Sequence, residues 1–353
     1  MGRQLLLKYT RDAREARHEV RGRALLQPHY RVPDLYARLR VPGGYVLAYQ
    51  RLAYGRDRGL LLDLLNDHEP SAELVCYMEA LTDAYHAVIL HTADLTSPAQ
   101  LVRKLYWDRA GEGGRLDSYY KAREFTLAIG NAEIPIAEIG RWNLRINGEH
   151  TNFDWYGALD SLKRHFQTDE PVWAAVTQGD PTDVNLAVPL GWFDYDTAGM
   201  NCILGEFANF LTYTAILGGW LVPIYNPSAF VDHPATFRYL PNNTPHVRQE
   251  RVDAATRTAH IAYSPRLCAP RRAAVTAYWH QLVLPVAKKL WPGADLAALL
   301  RPYVAMRLLG VYNLGDLAPV DRLVLISRLA EALSDSFDPA AFFDVLESPC
   351  PAL

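Results

Sequence analysis

The chain is poor in cysteine. Cys76, Cys202, Cys268 and Cys350 lie far apart among 353 residues with no Cys-x-x-Cys pair, so neither a zinc site nor a disulfide framework is expected and the four read as reduced thiols. An excess of one charge is missing too. Lys and Arg number 36 against 39 Asp and Glu, a formal net charge of −3, and no long basic run occurs, so neither nucleic acid nor an anionic membrane is expected as a partner. No apolar segment near Met1 is long enough for a signal peptide, and no 18-residue apolar run is read elsewhere; a cytoplasmic protein that does not cross a membrane is the expectation. Repeats and low-complexity tracts are absent as well. The glycine-bearing stretch at 109–115, Arg-Ala-Gly-Glu-Gly-Gly-Arg, follows a helical pattern rather than a strand, which excludes a phosphate cradle there and leaves a loop. Apolar residues, by contrast, make up 50% of the chain, enough for a sizeable core in one large or two moderate domains.

The chemistry concentrates at 177–199. Residues 177–186 read Thr-Gln-Gly-Asp-Pro-Thr-Asp-Val-Asn-Leu, and residues 190–199 read Leu-Gly-Trp-Phe-Asp-Tyr-Asp-Thr-Ala-Gly. The apolar run 172–176 breaks into a polar loop carrying Asp180 and Asn185, and a second apolar run, 190–193, delivers Asp194. Two carboxylates and an amide on loops between short strands suit phosphoryl transfer from a metal nucleotide. One acid accepts a hydroxyl proton, while the amide and the second acid hold Mg²⁺ against the phosphates.

Asp, then Asn, then Phe-Asp in this order resembles the catalytic and metal loops of the aminoglycoside phosphotransferase and choline kinase superfamily, the protein-kinase-like small-molecule phosphotransferases. Gly179, Asp180, Asn185, Asp194, Asp196, Ala198 and Gly199 match that family's pattern, while Gln178 stands where the family usually has His. Gly-Asp and Asp-x-Asp are common turn dipeptides by themselves; the ordered pair of motifs is the more specific signal. The resemblance implies Asp180 as catalytic base, Asn185 and Asp194 as Mg²⁺ ligands, Asp196 as a secondary metal or supporting group, ATP as donor, and a small-molecule hydroxyl as acceptor.

It also gives the N-terminus a reading. Lys8 lies in a short apolar run, and Glu19 follows eleven residues later in the helical pattern 13–27. In the family a strand lysine pairs with a helix glutamate to position the phosphates; Glu19, rather than Glu15, is the expected partner. Without the later motif, Lys8 would read as a lysine snorkelling from a strand edge and Glu19 as a solvated charge. A strand at 45–52 takes the position of the hinge, with backbone groups of Gln50 and Leu52 expected to bind adenine. One departure is large. Seven residues precede Lys8, fewer than the glycine-rich hairpin that normally covers the phosphates needs. The arginines of 109–115 and of an expected hairpin, Arg248, Arg251 and Arg257, are candidates for a substitute lid.

The expected fold is therefore α+β: a protein-kinase-like bilobed fold with a reduced N-lobe (1–52) lacking the glycine-rich loop, and a larger, mostly helical C-lobe (53–353). Helices are expected at 60–66, 71–91, 97–107, 117–129, 157–166, 205–217, 269–290, 294–309 and 319–334, loop at 221–244, and a hairpin across 246–263. The expected reaction is ATP- and Mg²⁺-dependent phosphorylation of an amino sugar, nucleoside antibiotic, sugar, choline-like alcohol or related metabolite. Gln178 and the missing glycine loop keep a second expectation open, a pseudokinase-like binding protein without turnover.

Overall fold

The computed structural model describes residues 5–51, 59–122 and 124–347. Helices dominate, and the strands among the described residues fall into five small sheets, so the α+β expectation holds at the level of class.

The chain opens with β1 (Leu5–Thr10), α1 (Ala13–Leu26), β2 (Leu35–Val41) and β3 (Gly44–Gln50). The three strands form an antiparallel sheet in the order β1-β3-β2. Asp12 caps α1, its carboxylate accepting from the Arg14 amide at 2.7 Å, and so satisfies one of the donors a helix start leaves free. Then come α2 (Leu61–Leu65), α3 (Ala72–Thr92), β4 (Asp94–Thr96), α4 (Trp107–Ala110) and α5 (Arg115–Tyr120). The stripe Leu74, Met78, Leu81, Tyr85 and Val88 faces the core along α3, as its helical spacing predicts.

Next are β5 (Thr126–Ile129), β6 (Ala132–Pro135), β7 (Asn143–Ile146), β8 (Glu149–Thr151) and α6 (Trp155–Phe166). β9 (Val172–Thr177) is central in a second sheet, between β4 and β12 (Gly199–Cys202). The small hairpin of β10 (Leu186–Ala187) and β11 (Gly191–Trp192) lies between β9 and β12 in sequence. α7 (Ile203–Thr212) runs through a π-helical stretch (Tyr213–Leu221) into α8 (Val222–Tyr225), and α9 (Ala235–Asn243) follows. The hairpin of β13 (His246–Asp253) and β14 (Thr258–Ser264) joins β7 and β8 in a four-stranded sheet. The chain closes with α10 (Ala269–Tyr278), α11 (Leu284–Leu290), α12 (Leu296–Gly310), α13 (Pro319–Leu333) and α14 (Pro339–Phe342).

Several expectations change. The segment 97–107 is a 3₁₀ turn (Pro98–Gln100) and coil up to α4, because Leu101, Leu105 and Tyr106 fill the core from an irregular backbone. Residues 117–129 divide into the end of α5 and strand β5, and 221–244 holds α8 and α9 rather than loop. Pro241 sits inside α9, where proline argues for loop; tertiary contact of Tyr239 and Asn243 with the core outweighs it. β2, β7 and β8 carry no expected strand at all. The 23-residue helix Ile203–Tyr225 contains an 18-residue window with a mean hydropathy of 1.4, enough by length and composition to cross a membrane, contrary to the reading of the sequence. Its most apolar window is 83% buried inside the protein, so those side chains build the core.

Candidate functional site

The loop after β9 is locked before it presents any functional group. Gln178 is fully buried: its Oε1 accepts from the Asp180 amide at 2.7 Å, and its Nε2 donates to the carbonyls of Phe193 (2.9 Å) and Asp194 (2.7 Å). One amide side chain thus ties the Asp180 loop to the Asp194 loop. Gly179 has φ +87°, and a Cβ there would overlap the Thr197 carbonyl oxygen, so glycine is required on both counts. The Gly179 N–H donates to Glu206 at 3.0 Å and its carbonyl accepts from Asn209 at 3.0 Å, both residues of α7.

Asp180 leaves this loop with its carboxylate 29% exposed. Asn209 Nδ2 donates to its Oδ1 at 2.7 Å, and the Arg307 guanidinium of α12 stands 3.5 Å from the same oxygen. Asn185 Nδ2 donates to the Asp180 carbonyl at 2.9 Å, and the Phe193 N–H donates to the Asn185 carbonyl at 2.9 Å. Asn185 therefore keeps its side-chain oxygen as an acceptor while its backbone holds the residue next to Asp194.

Asp194 adopts a left-handed backbone, φ 55°, which Asp tolerates better than most residues and which recurs at functional sites. Its side chain is 41% exposed. Lys8 reaches it from β1: Lys8 Nζ donates to Asp194 Oδ1 and, at 2.9 Å, to Glu19 Oε2. Glu19 is 1% exposed and also accepts from the Tyr195 N–H (2.9 Å) and the Tyr49 hydroxyl (3.0 Å). Glu15 is taken instead by Thr10 Oγ1. Burial opposes the Lys8 ammonium, but the carboxylates of Asp194 and Glu19 outweigh it and hold its pKa above the ordinary lysine value. Burial pushes the Glu19 carboxyl up, against the pull of Lys8. α1 gets this close because of Gly22, where a Cβ would overlap the Tyr195 carbonyl oxygen.

Two buried carboxylates support the frame. Glu206 accepts from Thr177 Oγ1 (2.8 Å), the Tyr85 hydroxyl (2.9 Å) and the Gly179 N–H, and burial pushes its pKa up to about 7. Asp183 makes a fully buried ion pair with Arg271 of α10 at 2.8 Å. Asp196 is held by Lys104.

A cleft of about 410 Å³ opens beside Asp180, with Thr182, Arg109, Arg115, Arg307 and Tyr312 on its wall. A second hollow of about 530 Å³ at the β2–β3 turn contains none of the predicted site residues. Among the described residues no group of three His, Cys, Asp or Glu side chains could hold a metal ion without other donors. Asp194 and Asn185 nevertheless offer one carboxylate and one amide oxygen, hard donors of the kind Mg²⁺ accepts alongside phosphate oxygens and water. The donor set fits that ion.

Lys8 and Glu19 pair as expected, and Lys8 also bonds Asp194, a contact not expected from the sequence, with Asp180 and Asn185 on the adjoining loop. Of the backbone groups expected to bind adenine, the Gln50 N–H donates to the Asp34 carbonyl at 2.7 Å, and Leu52 lies outside the described residues. The substitute lid changes. Arg248, Arg251 and Arg257 are exposed on the β13–β14 hairpin and bond no site residue among those described, while Arg109 and Arg115 belong to the Asp180 cleft. Asn209, Glu206 and Arg307 were not anticipated. Their signal was available: each is a polar residue inside an otherwise apolar helical run, and such residues stay buried only with a specific partner or task. No protein-family model matches the sequence, and no curated protein is similar to it at a significant level.

Proposed function

We propose that the protein is an ATP- and Mg²⁺-dependent phosphotransferase that moves the γ-phosphoryl group to a hydroxyl of a small molecule, on a protein-kinase-like bilobed fold. The observation that carries this reading is the meeting of Lys8, Glu19 and Asp194. A cation from the first strand, a buried acid from the first helix and an acid 186 positions further on than Lys8 share one Nζ, and Asp180 sits on the next loop facing its own cleft. Phosphoryl transfer needs this division, with charge neutralisation on one side and a proton acceptor on the other.

In this reading Lys8, oriented by Glu19, steadies the nucleotide phosphates. Asn185 and Asp194 hold Mg²⁺, which when bound neutralises phosphate charge and fixes the phosphates' geometry. Asp180, aimed by Asn209 and by its tie to Gln178, accepts the acceptor's hydroxyl proton. The protein supplies position and charge rather than covalent chemistry. Gln178, the residue that motivated a reading without turnover, fills both of its amide ends in joining the two loops, which favours an assembled site over a decayed one.

The test is nucleotide binding by calorimetry with and without Mg²⁺, followed by coupled detection of ADP release with hydroxylated metabolites. Metal-dependent ATP binding and acceptor-dependent ADP release are expected. ATP binding that ignores both Mg²⁺ and Lys8→Met would overturn the reading.

A further inference from the structure

The Asp180 cleft carries an imbalance of charge. Arg109, Arg115 and Arg307 converge on it from α4, α5 and α12, and among the described residues lining it Asp180 is the only carboxylate. Two of the arginines are anchored at the end of α12: Arg109 Nη1 and Arg115 Nη1 both donate to the Gly310 carbonyl, at 3.0 and 2.8 Å. A helix C-terminus leaves carbonyls without intrahelical donors and carries partial negative charge, so it orients these guanidiniums without neutralising them. Arg307 is 3% exposed, meets Asp180 only at 3.5 Å, and has no hydrogen-bond partner for Nε or Nη1. Burial, with Arg307 and Arg115 close by, pushes Arg109 down to about 9. A buried guanidinium with two half-buried ones beside it is costly unless an anion completes the group. The remaining wall is mixed, with Tyr213, Tyr225 and Tyr312 beside Val222, Val311, Thr182 and Asn226.

We propose that the cleft takes an acceptor bearing an oxyanion, a small hydroxylated carboxylate or phosphate ester, with the anion held by Arg307, Arg109 and Arg115 and the hydroxyl placed at Asp180. Guanidinium forks match carboxylate and phosphate oxygens bidentately. Cationic acceptors such as amino sugars or choline-like alcohols meet three like charges there and are disfavoured. The inference rests on Asp180 being the proton acceptor. In the step, the acceptor oxygen bonds to the γ-phosphorus of ATP as the bond from that phosphorus to the β,γ-bridging oxygen breaks. ADP leaves with the electron pair, and the hydroxyl proton passes to Asp180.

The experiment compares binding of glycerate, glycerol 3-phosphate, inorganic phosphate, glycerol and choline to the full chain, by calorimetry in low salt. Wild type, Arg307→Met, Arg115→Met and Lys8→Met are measured, with ATP affinity as the check that each variant is folded and, for Lys8→Met, thermal melting instead. The oxyanions are expected to bind and the neutral and cationic probes not; the arginine variants should weaken oxyanion binding roughly tenfold or more, as loss of a charge-assisted contact does, and Lys8→Met should leave it unchanged. Preference between glycerate and glycerol 3-phosphate separates a carboxylate from a phosphate acceptor. Equal binding of glycerol or choline, or oxyanion binding lost in Lys8→Met and kept in both arginine variants, overturns the proposal. Arginine-dependent oxyanion binding with no ADP release from any hydroxylated oxyanion upholds the binding site while removing the phosphotransferase reading.

Discussion

Glu19 gives the most discriminating stability test, because three donors depend on one carboxylate that is 1% exposed. Glu19→Ala leaves the Tyr195 N–H and the Tyr49 hydroxyl without their acceptor; both residues are buried, at 2% and 3% exposure. Each orphaned buried donor costs about 1–3 kcal/mol, so the two together cost about 2–6 kcal/mol. Lys8 adds little to this sum, since it is partly solvated and keeps Asp194. Such a loss is a large part of the roughly 5–15 kcal/mol that holds a folded domain. Glu19→Gln separates charge from hydrogen bonding. The amide oxygen can still accept from Lys8 and Tyr195, the Tyr49 hydroxyl can accept from the amide nitrogen, and the desolvation penalty on the carboxylate disappears. The expectation is near wild-type stability for Gln with weaker ATP binding, because Lys8 loses one of the two acids that fix it. Urea denaturation and nucleotide titration on both variants measure this. If Glu19→Ala unfolds within about 1 kcal/mol of wild type, the buried network is not what holds α1 against the Asp194 turn.

Asp180→Asn should keep the fold and ATP affinity yet lose orders of magnitude in turnover, since only an interaction of the transition state is removed; undiminished kcat would remove Asp180 from its role. Asp194→Ala should abolish Mg²⁺-dependent nucleotide binding while Asp196→Ala, whose carboxylate is engaged by Lys104, should cost far less; equal losses would mean that the metal carboxylate has been assigned to the wrong acid. Glu206, raised from 4.5 to about 7, holds its proton more tightly folded than unfolded. Its contribution is therefore full below about pH 4.5 and is lost as pH rises to about 7, a decline on the order of 3 kcal/mol at 1.36 kcal/mol per pK unit. Glu206→Gln should flatten denaturation midpoints across that window, and an unchanged pH slope would mean that another group sets it.

The pieces of chemistry that are local were legible in the chain. Asp180, Asn185 and Asp194 sit within fifteen residues of one another in sequence, on loops whose turn residues and flanking apolar runs are short-range signals. The strand and helix that carry Lys8 and Glu19 were legible locally, but the pairing of the two was expected only because of the resemblance carried by the later motif. What no local pattern encodes is who meets whom across the fold. That Gln178 joins two loops and that Asn209 and Arg307 flank Asp180 depend on α7 and α12 packing their apolar faces around the β9 loop, while Lys8 reaches Asp194 from β1, which is held by its ladder with β3 and keeps Leu5, Leu6, Leu7 and Tyr9 exposed. Segments 97–107 and 221–244 were misread for a related reason, since the pull of Tyr106 and Tyr239 into the core overrides propensity. Charge balance at the cleft is the clearest case. A net charge of −3 over the whole chain gives no hint of three arginines gathered round one carboxylate, because their sequence neighbours do not include one another's partners. Only the tertiary structure carries Arg307 back to Arg109 and Arg115 at the end of one helix.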